Sequence, residues 1–442
     1  MFQHQDYPFR GLIAGVNTKV PLKDGCLSPC INFDNAATTP PLISVVNRIV
    51  DFSPWYSSIH RGTGYKSKNS SDVFDNSRKA ILDFVGGDID RDCLIYIKNA
   101  TEAINKLSNM FKESYKECFI LSTFMEHHSN DLPWRDKFFI DYITVDDEGK
   151  LNMIDLEQKL KKYKGKVKLV TVTGASNVTG LRNPIHHIAR LAHQYDAKIL
   201  VDGAQLVPHC PVDMKSHNSP EHIDFMVFSA HKMYAPFGIG VLIGPKLFLE
   251  SCTPDYKGGG TIDMVTHNFI KWADIPDRQE AGTPNIMGVV ALVEAINILS
   301  SIGMENIKNY EEKLTHYALN KISKIPDIIL YQSIDDKYPR VSIIPFNIEG
   351  MNHIQVAKIL SDEVGIAVRS GCFCAQPYVQ KLLNITKEEI EKRKKGLDKL
   401  HPGFVRLSFG IYNTFEEIDF LVKMLKEIIL KKHQCVEEYP ID

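Results

Sequence analysis

Lys198-Ile199-Leu200-Val201-Asp202-Gly203-Ala204-Gln205 and Ile223-Asp224-Phe225-Met226-Val227-Phe228-Ser229-Ala230-His231-Lys232 are the stretches that decide the fold. Each is a short apolar run closing on small and polar residues. Continuous rather than alternating apolar runs fit strands buried on both faces of a sheet. Similar runs stand at 93–97, 118–122, 167–173 and 239–243, with amphipathic stretches at 72–85, 101–111 and 184–195 between them. Alternation of this kind predicts an α/β unit, a mostly parallel sheet covered by helices.

After residue 284 the pattern changes. Helices are expected over 286–301, 306–324, 353–364, 387–400 and 414–432, with strand-like pieces at 340–346, 366–369 and 404–408. The expected organisation is an N-terminal arm over 1–31 packed near the small domain, a large domain over 32–290, and a smaller α+β domain over 291–442. A length of 442 residues also exceeds what one core usually supports.

Composition narrows the class. Lys+Arg number 52 against Asp+Glu 54, a net charge of −2, which gives no electrostatic reason to expect nucleic acid or an anionic membrane as partner. No run approaches about 18 apolar residues, and the N-terminus shows no basic region before an apolar stretch, so neither a membrane span nor a secretory signal is expected. Nine cysteines, scattered and odd in number, do not look like a disulfide framework, and a cytoplasmic protein is expected.

In open α/β sheets ligands bind at the carboxyl ends of the strands. Those ends here carry Asp202 and Gln205, Ser229, His231 and Lys232, Asn177, and Glu126-His127-His128. Taken singly, an Asp after a strand is usually a helix cap and a Lys a solvated cation. As a set they are what pyridoxal chemistry requires: a carboxylate to pair with a pyridinium nitrogen and a lysine to form an imine. No G-x-G-x-x-G follows an early strand, which sets a nicotinamide dehydrogenase aside. Gly258-Gly259-Gly260 follows a loop and precedes no clear helix.

The two opening stretches resemble class V aminotransferase-fold enzymes, and within them the cysteine desulfurase and selenocysteine lyase group. Matching segments run in order through Asn32-Phe33-Asp34-Asn35-Ala36-Ala37-Thr38-Thr39, His60-Arg61-Gly62, Ala100-Thr101-Glu102-Ala103-Ile104-Asn105, Glu126-His127-His128-Ser129-Asn130, Gly258-Gly259-Gly260, Glu280-Ala281-Gly282-Thr283-Pro284-Asn285, Val368-Arg369-Ser370-Gly371 and Tyr412-Asn413-Thr414. The resemblance implies a type I pyridoxal 5'-phosphate transferase fold. It implies that Lys232 forms the imine with the cofactor, Asp202 pairs with its ring nitrogen, and His127 stacks on the ring. Gln205 and Asn177 would bond the phenolic oxygen. Thr101, the Ala100 amide, Ser229 and His231 would hold the phosphate, at the start of the 101–111 helix where free N–H groups attract an anion. Thr283 would reach the cofactor of a second subunit, implying a homodimer. Arg406 would clamp the substrate carboxylate, with Asn177 and Arg369 also binding the substrate.

In that family a cysteine a few residues after an arginine accepts sulfur. Here the segment reads Arg369-Ser370-Gly371-Cys372-Phe373-Cys374-Ala375-Gln376-Pro377, which puts Cys374 at the acceptor position and implies conversion of L-cysteine to L-alanine with a persulfide on Cys374. A protein that receives this sulfur is then a possible partner. Cys372 replaces a histidine common in the group, and Gly-Cys-Phe-Cys also resembles the desulfurase-like domain of molybdenum cofactor sulfurases. Gly64-Tyr65 stands where a further histidine often follows His60-Arg61-Gly62, so the substrate could also be a modified cysteine. No metal is expected: two thiolates need two more ligands, and no second close pair is evident. The alternative readings are another class V enzyme, a carbon–sulfur lyase or an aminotransferase, and a non-catalytic scaffold, which would have no need of Asp202, His127 and Lys232.

Overall fold

The computed structural model describes residues 9–60, 62–331, 338–396 and 402–441. Its large sheet has seven strands: β1 (Asp92–Ile97), β2 (Phe119–Thr123), β3 (Phe139–Ile143), β4 (Val167–Thr173), β5 (Lys198–Asp202), β6 (Phe225–Ser229) and β7 (Gly240–Pro245). They lie in the order β1-β7-β6-β5-β4-β2-β3. β2 to β6 pair in parallel, whereas β7 runs antiparallel to both its neighbours. The antiparallel β7 follows from connection length, because residues 230–239 are too few for the crossover helix that a parallel return requires. β3 went unseen in sequence: Phe-Ile-Asp-Tyr-Ile sits at the sheet edge and carries polar and half-buried positions.

Period-two alternation distributes each strand between two cores. Leu94, Tyr96, Val201, Met226 and Phe228 enter one, whereas Cys93, Ile95, Leu200, Phe225 and Val227 enter the other. The first core is closed by helices α1 (Ile43–Phe52) and α2 (Tyr65–Phe84) and by a later apolar helix over Ile286–Ile302. The second is closed by α3 (Ala100–Ser114), whose N-terminus is capped by Asn99 accepting from the Glu102 N–H. Because Ile286–Ile302 contributes Val289, Leu292, Ala295 and Leu299 to the large core, the division between cores lies beyond residue 290.

The smaller unit is a four-stranded antiparallel sheet of β8 (Ile328–Leu330), β9 (Ile343–Ile348), β10 (Arg369–Gly371) and β11 (Phe404–Ser408), ordered β8-β9-β11-β10. The stretch expected as one strand over 366–369 is two. Ile366–Ala367 pairs in parallel with Ile31–Asn32 of the N-terminal arm, and only after Val368 does the chain join the small sheet. The arm is tied down further by Arg10, which bonds the Tyr412 carbonyl and the Glu417 carboxylate. The last helix breaks at Lys431 into Phe415–Leu430 and Lys432–Glu438, and the helix expected over 387–400 is seen at Lys387–Lys394, with 397–400 outside the described residues. Among the described residues no single helix is long and apolar enough to cross a membrane.

The largest side chain that α3 gives to the second core is one ring. Phe111 is fully buried, with Phe248, Tyr115, Phe225 and Trp134 at centroid distances of 5.1, 5.4, 5.6 and 6.2 Å. Phe111→Ala is expected to cost about 3–5 kcal/mol, read as a lower urea midpoint. Phe111→Leu, which refills most of the volume, is expected to lose far less.

Candidate active site

The carboxyl ends of β2, β4, β5 and β6 open into a cleft of about 640 Å³, within the range of cofactor and substrate sites. It is lined by Ala100, Thr101, His127, Asn177, Asp202, Gln205, Ser229, His231 and Lys232 from the large domain. Arg369, Cys372, Cys374 and Arg406 line it from the small domain. Every site residue expected from sequence is thus brought together except Thr283. That residue lines a separate cleft with His60, Gly259, Gly260 and Glu280. Arg61 lies outside the described residues.

Lys232 closes a single 3-10 turn, Ala230–Lys232, that follows β6 directly. Desolvation pushes its ammonium down to about 8; the Asp202 carboxylate opposes this and the Arg406 charge adds to it. Asp202 ends β5, is buried, and accepts from the Ala204 N–H at 3.0 Å. Burial raises its pKa, against that hydrogen bond and the Lys232 charge. His127 accepts the Ser129 N–H on Nδ1 at 3.1 Å, which leaves its proton on Nε2. Burial first, then Lys232, holds the ring down to about 4, so it is neutral near pH 7. His231 is likewise held at about 4 by burial and Lys232.

The start of α3 offers an anion site. Of its first N–H groups, Ala100 donates to Ser229 Oγ at 2.9 Å, Glu102 to the Asn99 side chain at 3.0 Å and Ala103 to the Asn99 carbonyl at 3.1 Å. The Thr101 and Ser129 hydroxyls lie 2.7 Å apart at the same end. β7 approaches this turn so closely that a Cβ on Gly240 would stand 2.8 Å from Asn99 Cα. The residues fit pyridoxal phosphate: a helix N-terminus with hydroxyls for the phosphate, a buried carboxylate, a neutral imidazole, and a lysine of depressed pKa. Gln205 Oε1 is buried without a hydrogen-bond partner, a polar atom left over at the same place.

Three expected donors already have a protein partner, the Ala100 N–H on Ser229 Oγ and the Gln205 and Asn177 amides on backbone carbonyls. Gln205 Nε2 donates to the Ala36 carbonyl at 2.7 Å and Asn177 Nδ2 to the Phe373 carbonyl at 2.7 Å, and each amide nitrogen keeps a second N–H. Arg406 is buried; its Nη1 donates to the Asn177 carbonyl at 2.9 Å and its Nη2 to Asp34 at 3.2 Å, while Nε has no partner. Burial holds its pKa down to about 10. Arg369 stands 3.7 Å from the same Asp34 and is largely exposed.

Cys374 is exposed and Cys372 half-buried. The loop carrying them is pinned by the His128 N–H to the Cys374 carbonyl at 2.6 Å and by the Gln376 N–H to His128 Nε2 at 3.2 Å. Sequence reasoning gave no role to Asp34, Glu126, His128 or Phe373. Glu126 is fully buried behind His127, bonded by Thr123, Asn130 and the Thr173 N–H; burial pushes it up to about 8 against those bonds. Its place in the Glu126-His127-His128 string was the available signal. For Asp34 no local pattern could serve, because Arg406 lies 372 residues away. At the opposite end of β6, His193, Lys198 and the Ile199 N–H surround the Asp224 carboxylate, with His222 Nε2 at 3.5 Å. This group braces the sheet far from the cleft.

Comparison with known proteins places the chain. The model of the family "Aminotransferase class-V" matches residues 31–421. A probable cysteine desulfurase of Synechocystis sp. is 34% identical over 412 residues, covering 91% of both chains. A cysteine desulfurase of Haloferax volcanii is 33% identical over 426 residues, covering 94% of both. Among solved structures, the apo cysteine desulfurase of Thermococcus onnurineus NA1 superposes with a TM-score of 0.81 at 31% identity, covering 91% of this chain and 95% of its own. The chain belongs to the class V aminotransferase family.

An amine reacts with an aldehyde only when unprotonated, so capture of pyridoxal phosphate by the apoprotein is expected to rise with pH through about 8. A stopped-flow absorbance profile rising instead near 10.5, the ordinary lysine value, would show that Lys232 is not desolvated in this way. Lys232→Ala is expected to abolish the chromophore.

Proposed function

We propose that this class V aminotransferase-family chain is a pyridoxal-phosphate-dependent cysteine desulfurase that converts L-cysteine to L-alanine and leaves the sulfur as a persulfide on Cys374. One observation carries the reading: a cysteine stands exposed at a cleft that also holds Lys232, Asp202, His127 and Arg406, fixed there by backbone bonds to His128. A lyase or aminotransferase has no use for that thiol. The named relatives support the same activity.

Bound pyridoxal phosphate would supply an electron sink for charge developing at the substrate α-carbon. The chain's residues do the rest. Arg406 binds and orients the substrate carboxylate; burial removes competing water and strengthens the contact. Asp202 holds the proton on the cofactor's ring nitrogen, which keeps the sink effective. Lys232, with its pKa near 8, moves the proton at the α-carbon. His127, neutral near pH 7, can take the proton of the substrate thiol at the moment sulfur leaves. The Cys374 thiolate attacks that sulfur, the carbon–sulfur bond breaks, and a proton completes the methyl group of alanine. Cysteine and one thiol become alanine and one persulfide, so atoms and electrons balance.

Thr283, His60 and the glycines at 259 and 260 line a surface cleft away from Lys232. The neighbouring hairpin of Ile262–Thr266 and Phe269–Trp272 exposes Met264, Val265, Phe269 and Ile270. A homodimer would cover these side chains and bring Thr283 to the partner's cofactor. A soluble protein able to accept the persulfide sulfur would complete the cycle.

With L-cysteine and a reductant, alanine and sulfide are expected in equal amounts. Cys374→Ala is expected to keep the chromophore and lose persulfide and sulfide. Undiminished sulfide from that variant, or pyruvate with ammonia from the native chain, would refute the reading. Arg406→Lys, which keeps charge but not the planar fork, is expected to raise KM for cysteine at least tenfold with the chromophore intact.

A further inference from the structure

Phe373 sits between the two cysteines of the cleft loop, and it is strained. Phe373 and Cys374 have φ of 53° and 54°, consecutive non-glycine residues in the left-handed region, after Gly371 at 117°. Such a conformation persists only where the surroundings over-determine it. Three contacts do so: Asn177 Nδ2 donates to the Phe373 carbonyl, the His128 N–H to the Cys374 carbonyl, and the Ala375 N–H to the Cys372 carbonyl at 2.9 Å. The fourth contact is the ring, whose centroid lies 4.6 Å from Arg406 Cζ.

Arg406 is the group at issue. Its two terminal nitrogens are engaged by the Asn177 carbonyl and Asp34, and its Nε is buried without a partner. One face of the cation is covered by an aromatic ring, which attracts a guanidinium through its quadrupole and is a weak substitute for an anion. The same residue's carbonyl accepts one N–H of the Asn177 amide. One side chain and its own backbone therefore touch both groups that would meet an incoming amino acid.

We propose that Phe373 occupies the carboxylate subsite of the unliganded chain and sets its specificity for amino acids, so that a substrate binds only by lifting this ring and with it the segment that carries Cys374. The inference rests on the reading of the cleft as an amino-acid site. A carboxylate makes paired, charge-assisted hydrogen bonds with a guanidinium and outcompetes the ring. A ligand that makes only van der Waals contact does not. The competition lowers apparent affinity by the fraction of chains in which the ring is lifted. It also links the two ends of the reaction, because the strained pair at 373 and 374 relaxes when the ring leaves Arg406, and the thiol moves when substrate is present.

The test uses L-alanine, which has the carboxylate and amine but no sulfur, titrated into the cofactor-loaded chain by calorimetry. Phe373→Leu keeps an apolar side chain of similar size and loses the quadrupole; it is expected to bind L-alanine about tenfold tighter than the native chain. Phe373→Trp, the stronger partner for a cation, is expected to bind it more weakly. Native affinity in Phe373→Leu would overturn the proposal, since packing alone would not distinguish the two residues in this way. A second measurement needs no variant: alkylation of Cys374, followed on its own peptide by mass spectrometry, is expected to change several-fold on saturation with L-alanine, and an unchanged rate would equally overturn it. Neither readout involves sulfur transfer, so a chain that failed as a desulfurase would still decide the question.

Discussion

A guanidinium taken out of water needs hydrogen-bonding partners, and Arg406 finds two on distant parts of the chain while its Nε has none. It leaves the small sheet from β11, bonds the Asn177 carbonyl beyond β4 of the large domain, and bonds Asp34 beside the N-terminal arm. An unpaired buried charge costs several kcal/mol, so the two domains and the arm are constrained to this one arrangement. The cleft is the space that the constraint leaves. Its two walls belong to different domains, and their separation is set by the reach of one side chain.

Around this link the polar network is dense. Asn35 donates to the Ser408 and Asn32 carbonyls and to Asn413, and Tyr412 donates back to Asn35 at 2.6 Å. These residues lie at the junction of arm, small sheet and last long helix, which starts at a capping box of Thr414 and Glu417. A network in which each member is satisfied rigidifies its surroundings. That rigidity holds the small domain steady above the lysine, and the strain in the cysteine loop can be stored only against such a frame.

The electrostatics of the cleft follow from the same enclosure. Lys232, His127, His231 and Arg406 all have their charged forms disfavoured by desolvation, and the cations raise that cost for one another. Asp202 and Asp34 are the nearby carboxylates that oppose it. A cleft so biased binds anions readily, and a phosphate with an amino-acid carboxylate is the ligand pair that satisfies it. The imidazoles are left neutral at the pH where the lysine is close to half deprotonated, so His127 is able to accept a proton where Lys232 is able to give or take one.

The sequence by itself determined the large domain's character and the chemistry it presents. Continuous apolar runs ending in Asp202 and Lys232 specify buried parallel strands, and strand length and side-chain alternation are local properties that a linear reading captures. The predicted strand 167–173 and helix 353–364 are found at those residues for this reason. The order of family-like segments likewise named the cleft residues, since each motif is contiguous. What only the tertiary structure decided is how distant pieces meet. The antiparallel β7, the split of 366–369 between arm and sheet, and the commitment of Gln205 and Asn177 to backbone carbonyls all depend on partners far along the chain. Asp34 with Arg406, and Phe373 over that same guanidinium, are of this kind. Hydrogen bonds and ring contacts act over a few ångströms in space, and no periodicity in a sequence records which residues folding will bring within that distance.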